Sequence, residues 1–96
     1  VHRIEISPAA AADLEAIWLY GFEQWDETQA DEYYDALMVG IEQLRSNPLL
    51  GKSEERVRKD YRSIHLNRHV VFYRVLNDAV DIVRVLHDRM VPDNYL

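Results

Sequence analysis

Residues 61–87 read YRSIHLNRHVVFYRVLNDAVDIVRVLH, and this stretch decides the fold. It is dense in β-branched and aromatic residues: Val70, Val71, Phe72, Tyr73, Val75, Val80, Ile82, Val83 and Val85. Such side chains fit a pleated, half-buried surface. Two polar pairs interrupt it, Asn67-Arg68 and Asn77-Asp78, each the size of a tight hairpin loop. The stretch therefore predicts three antiparallel strands: Tyr61–Leu66, Arg68–Leu76 and Ala79–His87.

Upstream, the apolar period changes. Ile4 and Ile6 alternate with Arg3 and Glu5, which reads as a short strand over His2–Ile6. Ser7-Pro8 is a helix start, with Ser as N-cap and Pro at the first helical position. Leu14, Ile17, Trp18, Gly21 and Trp25 then form one helical stripe. Gly21 inside it costs about 1 kcal/mol against Ala unless it permits a close approach. Asp26 caps a second helix, with Gln29 three residues on. Ala30, Tyr33, Tyr34, Leu37, Ile41 and Leu44 share its apolar face, and Asn47-Pro48 ends it. The short link between the helices implies an antiparallel hairpin. Residues 49–60 are expected to be a polar loop, and Met90–Leu96 a short tail. The whole predicts one α+β domain over 1–96, in the order β-α-α-β-β-β, with a helical hairpin on one face of a small, mainly antiparallel sheet.

The two hairpin loops set a register. Arg74 is expected opposite Asp81, Phe72 opposite Val83, His65 opposite Val70, and Ser63 opposite Phe72. Alternation then sorts the sheet into two faces. Ile64, Leu66, Val71, Tyr73, Val75, Val80, Ile82 and Leu86 make the aliphatic face that takes the hairpin, with Arg62, His69 and Arg84 beside them. Tyr61, Ser63, His65, Val70, Phe72, Arg74, Asp81, Val83, Val85 and His87 make the second. One hairpin cannot cover both. Val70, Phe72, Val83 and Val85 are therefore expected to be exposed, as an apolar patch rimmed by polar groups and suited to a partner. The alternative is that residues 49–60 and the tail fold over this face.

Composition narrows the function. Ninety-six residues bury about 60–65% of their unfolded surface, so the core is modest. No run approaches the roughly 18–20 apolar residues of a membrane span, and VHRIEISP lacks the apolar stretch of a signal peptide. The absence of cysteine excludes disulfides and thiolate chemistry and fits the cytoplasm. The net charge of -6 is segregated. Residues 1–50 carry ten acids and two bases; residues 51–96 carry seven acids and nine bases. An acidic whole disfavours direct nucleic-acid binding, while the basic second half suits an acidic partner. The four histidines (His2, His65, His69, His87) show no compact ligand spacing, so no metal is expected, and no cofactor.

The tyrosine-arginine pair at 61–62, RHVVFYR at 68–74 and VRVLHDRM at 83–90 closely resemble the C-terminal half of ParE-type toxins, within the RelE/ParE toxin–antitoxin superfamily. The N-terminal half resembles them too, through its strand, Ser7-Pro8, and Asp13-Leu14 before Ile17 and Trp18. Asn47-Pro48 and Gly51 are similar to the family's loop after the second helix. The resemblance covers nearly the whole chain. It implies a RelE-like fold and a plasmid-stabilising toxin that inhibits DNA gyrase and is neutralised by a ParD-like antitoxin. The antitoxin's C-terminal segment would lie on the second face, at Tyr61, His65, Val70, Phe72, Arg74, Val83, Val85 and His87. The tail, through Arg89, Met90 and Tyr95, becomes a candidate for the gyrase contact; the alternative is that it packs on the sheet edge.

Two other readings stay open. A ribosome-dependent mRNA endonuclease of RelE type needs a general acid, a general base and cations. His65, Arg74 and His87 are the residues for it. The acidic chain weighs against that reading, as does Asp88-Arg89-Met90 where RelE-like enzymes often place a tyrosine. A third reading is a homologue without toxicity that only binds its antitoxin.

Overall fold

The computed structural model describes residues 1–96. Strand β1 (Arg3–Ile6) leads into α1 (Pro8–Gln24) and α2 (Glu27–Glu42). A 3₁₀ turn at Gln43–Arg45 follows, then β2 (Lys52–Ser53), β3 (Tyr61–Leu66), β4 (His69–Val75) and β5 (Ala79–His87). The sheet order is β1-β5-β4-β3-β2, parallel between β1 and β5 and antiparallel elsewhere. This is the expected α+β layer with one added strand. The two residues of β2 pair with Arg62 and Ser63 inside the stretch read as loop. They are too short and too polar to show a strand period.

The helices start where their caps predict. Ser7 Oγ accepts the Ala10 N–H at 3.0 Å and donates to the Val83 carbonyl at 2.8 Å, so the cap also ties α1 to β5. Asp26 Oδ1 accepts the Gln29 N–H at 2.8 Å. Gly21 does permit a close approach: a Cβ there would lie 3.3 Å from Ala30 Cα on α2. Trp18 stacks on Phe22 and donates its indole N–H to Asp31 at 2.8 Å, closing the hairpin. Trp25 departs from the buried stripe. It is the C-cap of α1, beyond the last regular turn, and is 61% exposed.

Leu14, Leu37, Ile41 and Leu44 from the helical side pack on Val71, Tyr73, Val80, Ile82 and Val85 of the sheet. Burying such side chains stabilises by about 1.5–3 kcal/mol each. The buried Tyr73 hydroxyl donates to the Pro48 carbonyl at 2.8 Å and accepts the Gly51 N–H at 2.9 Å. A Cβ at Gly51 would fall 2.3 Å from the Ser63 carbonyl oxygen, so only glycine brings this loop so close to β3.

The β3–β4 register is the expected one, with His65 opposite Val70 and Ser63 opposite Phe72. In β4–β5, Arg74 faces Asp81 and Tyr73 faces Ile82. Beyond that point the expectation fails. Phe72 faces Arg84, not Val83, because a bulge shifts the ladder between Phe72 and Tyr73. One extra residue reverses every side chain after it. Val85 therefore joins the hairpin-side core, His87 turns towards His69, and Leu86 pairs with Val70 on the second face.

The second face is only partly open. Phe72 is 2% exposed, while Val70 and Val83 are half-buried. Leu50, Gly51 and Glu54 of the loop and Met90 and Pro92 of the tail line the same depression as Val70 and Phe72. Ser63, buried on this face, hydrogen-bonds Glu54. The loop and tail thus narrow this face to a depression of about 450 Å³.

Candidate functional site

A cleft of about 350 Å³ opens where the tip of the helical hairpin overhangs the end of β4 and β5. Its floor comes from the helix crossing, where Gly21 meets Ala30. Ile17, Val85 and Met90 line it, and Tyr20 and Trp25, each 61% exposed, stand at its rim. Its polar end holds Tyr33, Arg68, His69 and His87.

These polar groups are coupled. The Tyr33 hydroxyl accepts the Arg68 N–H at 3.2 Å and lies 2.6 Å from His69 Nδ1. It has one proton to donate, so neutral His69 accepts there and carries its own proton on Nε2. The His69 and His87 rings meet edge to face at 5.3 Å. Burial, then the neighbouring His87, lowers the His69 pKa. Burial raises that of Tyr33. Both groups are held neutral.

Asp13 fixes the cleft from the side. Its carboxylate accepts Arg84 Nε and Nη2, each at 2.8 Å, and the Val85 N–H at 2.9 Å. This bidentate pair joins α1 to β5 just past the bulge, and the bonds to Asp13 raise the Arg84 pKa. Arg84 also lies 5.8 Å beneath the Tyr95 ring and donates to the Tyr95 carbonyl at 3.2 Å, which docks the tail.

Of the residues expected to meet a partner, His65, Val70, Phe72 and His87 line one depression, while Tyr61, Arg74 and Val85 lie apart from it. Tyr61 and Arg74 pair across β3 and β4 at the far end of the sheet, where Asp81 holds Arg74 at 2.9 Å and raises its pKa. His65 is exposed and lies 3.3 Å from Asp88. His87 is 3.2 Å from the same carboxylate, but its ring packs on His69 rather than beside His65. His65 and His87 thus flank one carboxylate, and Arg74 is not with them. Arg74 is four residues along the ladder from the position of Val70 opposite His65, roughly 13 Å at the usual strand rise. In the tail, Arg89 and Tyr95 are exposed and Met90 half-buried. No group of three histidine or carboxylate side chains is placed to hold a metal ion. Sequence reasoning missed the cleft because Ala30 and Tyr33 read as ordinary core. The available signal was the pair of small residues, Gly21 and Ala30, on facing helix stripes.

Residues 4–92 match the family model described as the ParE toxin of the type II toxin–antitoxin system parDE. The chain belongs to the ParE toxin family. It is 39% identical over 95 residues to Toxin ParE1 of Mycobacterium tuberculosis, covering 98% of this chain and 97% of that one. It is 41% identical over 85 residues to Toxin ParE1 of Caulobacter vibrioides, covering 88% of each. A solved structure described as the chromosomal ParDE TA system from P. aeruginosa superposes with a TM-score of 0.80 at 18% identity, over 90% of this chain and 95% of that one. That likeness establishes a shared fold. In this chain that fold carries the cleft and the depression on the second face.

Proposed function

We propose that this toxin acts by binding, without catalytic residues of its own, that its target is DNA gyrase in the cytoplasm, and that a ParD-like antitoxin neutralises it. The observation that carries the reading is the family match over residues 4–92, which spans every element of the sheet and both helices. The remoteness of Arg74 from His65 and His87 supports a non-catalytic toxin. A ribonuclease needs its acid, base and cation within reach of one phosphate. The acidic net charge of -6 supports a protein target over RNA.

The test has a cellular and a biochemical arm. Expressed alone in growing cells, the chain should stop growth, and coexpression of the antitoxin gene adjoining it should restore growth. Purified chain should leave ribosome-bound mRNA intact. Cleaved mRNA would establish the RelE-type endonuclease reading instead. Binding to the antitoxin without growth arrest would make the chain a non-toxic homologue.

A further inference from the structure

The cleft and the depression on the second face share one wall. Leu86, His87 and Met90 line both hollows. Hydrogen bonds tie the wall together. Met90 donates its N–H to the His87 carbonyl at 2.9 Å, and its Sδ accepts the His87 N–H at 3.3 Å. On the cleft side, the Arg68 N–H reaches the Tyr33 hydroxyl, and the Arg68 carbonyl accepts the Asp88 N–H at 2.8 Å. On the other side, the Asp88 carboxylate lies 3.3 Å from Nε2 of His65, which lines the depression and not the cleft.

The His87 ring has a conflict built into it. Its Nδ1 accepts the Arg89 N–H at 3.1 Å, and the same atom lies 3.2 Å from Asp88 Oδ1. As hydrogen bonds these two contacts exclude each other. A bare Nδ1 takes the Arg89 N–H but sets a lone pair against the carboxylate. A protonated Nδ1 donates to Asp88 but leaves the Arg89 N–H without its acceptor. One ring therefore has two arrangements, each satisfying one neighbour.

We propose that His87 is a two-state switch that couples the cleft to the depression. With Nδ1 bare, the ring holds the turn into the tail through Arg89 and leaves Asp88 to His65. With Nδ1 protonated, it draws Asp88 to itself and releases the Arg89 N–H. A group entering the cleft meets the His87 ring and Met90, so it favours one state and resets Asp88 and His65 across the wall. Coupling between two sites needs an element with discrete arrangements that both sites bias. It is also reciprocal: a group seated in the depression changes the affinity of the cleft by the same factor. In a toxin that binds two proteins, as proposed above, partners in different hollows would then influence each other without touching. The switch itself does not rest on that reading.

A long-range proton–nitrogen NMR correlation on the isotope-labelled full chain tests the switch, because it reports the protonation of each histidine ring nitrogen. His65→Gln and His87→Gln assign the signals, and every variant is first shown to fold by its circular dichroism. Asp88→Ala removes one of the two competing neighbours. The His87 Nδ1 signal should then move towards the position of a bare ring nitrogen; a signal that does not move means a ring with one state and overturns the switch. Ala16→Trp sets an indole in the cleft from an exposed position, and Ala16→Met serves if the indole is not accommodated. Either should shift the ring nitrogens of His65, and the shift should vanish when the same change is made on a His87→Phe background. A His65 signal that stays in place, or that moves as far on the His87→Phe background, overturns the coupling.

Discussion

Single residues carry much of what positions the cleft. Asp13 is the clearest case, because one carboxylate joins α1 to β5 through three hydrogen bonds. Arg84 is partly buried, so removing its partner strands a charge away from bulk water. Asp13→Ala should cost about 2–3 kcal/mol, between the exposed and fully buried limits for ion pairs, read as a lower urea midpoint. Tyr73 is comparable: Tyr73→Phe leaves the Gly51 N–H and Pro48 carbonyl without their partner and should cost about 1–3 kcal/mol by the same measurement. His69 predicts a pH dependence. Its pKa is lowered in the fold, so the unfolded chain binds its proton more readily. The stability it contributes is complete above the ordinary histidine pKa of about 6.5 and is lost as pH falls below that value towards the folded pKa. His69→Gln should flatten that decline in a series of urea melts from neutral to mildly acidic pH.

At the level of elements, local chemistry was readable and its interruption was not. Ser7-Pro8 and Asp26 marked the helix starts because capping is settled within four residues. The boundaries of β3 and β5 and the β3–β4 register followed from alternation and a two-residue loop, helped by Asn67, which adopts φ 57°. The bulge in β5 left no such mark. No glycine or turn residue stands at Val83-Arg84; what holds the shift is tertiary, through Ser7 on the Val83 carbonyl and Asp13 on Arg84 and the Val85 N–H. Contacts 71–76 residues away are invisible to a local pattern. That one shift moved Val85 and His87 to the hairpin side and so altered the expected site. The burial of Gly51 was hidden for a similar reason, since residues 49–60 read as a polar loop until Tyr73 clasps Gly51. Gly51→Ala tests this clasp. It should cost about 1–3 kcal/mol through overpacking against β3, and limited proteolysis should then cut between 49 and 60 sooner than in wild type.

For the whole molecule, the charge segregation acquires a shape. The acidic half forms the helical layer, and the basic half forms the sheet end and loop, with the cleft between them. A partner that spans the cleft meets both signs, which favours one orientation over its reverse. The net charge of -6 argues for a protein target, because an acidic whole is repelled by a phosphate backbone. The proposed occupation of gyrase is read from supercoiling of relaxed plasmid by purified gyrase, titrated with the purified chain. Inhibition should saturate as toxin approaches the gyrase concentration and be relieved by added antitoxin. Supercoiling that proceeds undisturbed at a large excess of folded, antitoxin-free chain would rule gyrase out as the target.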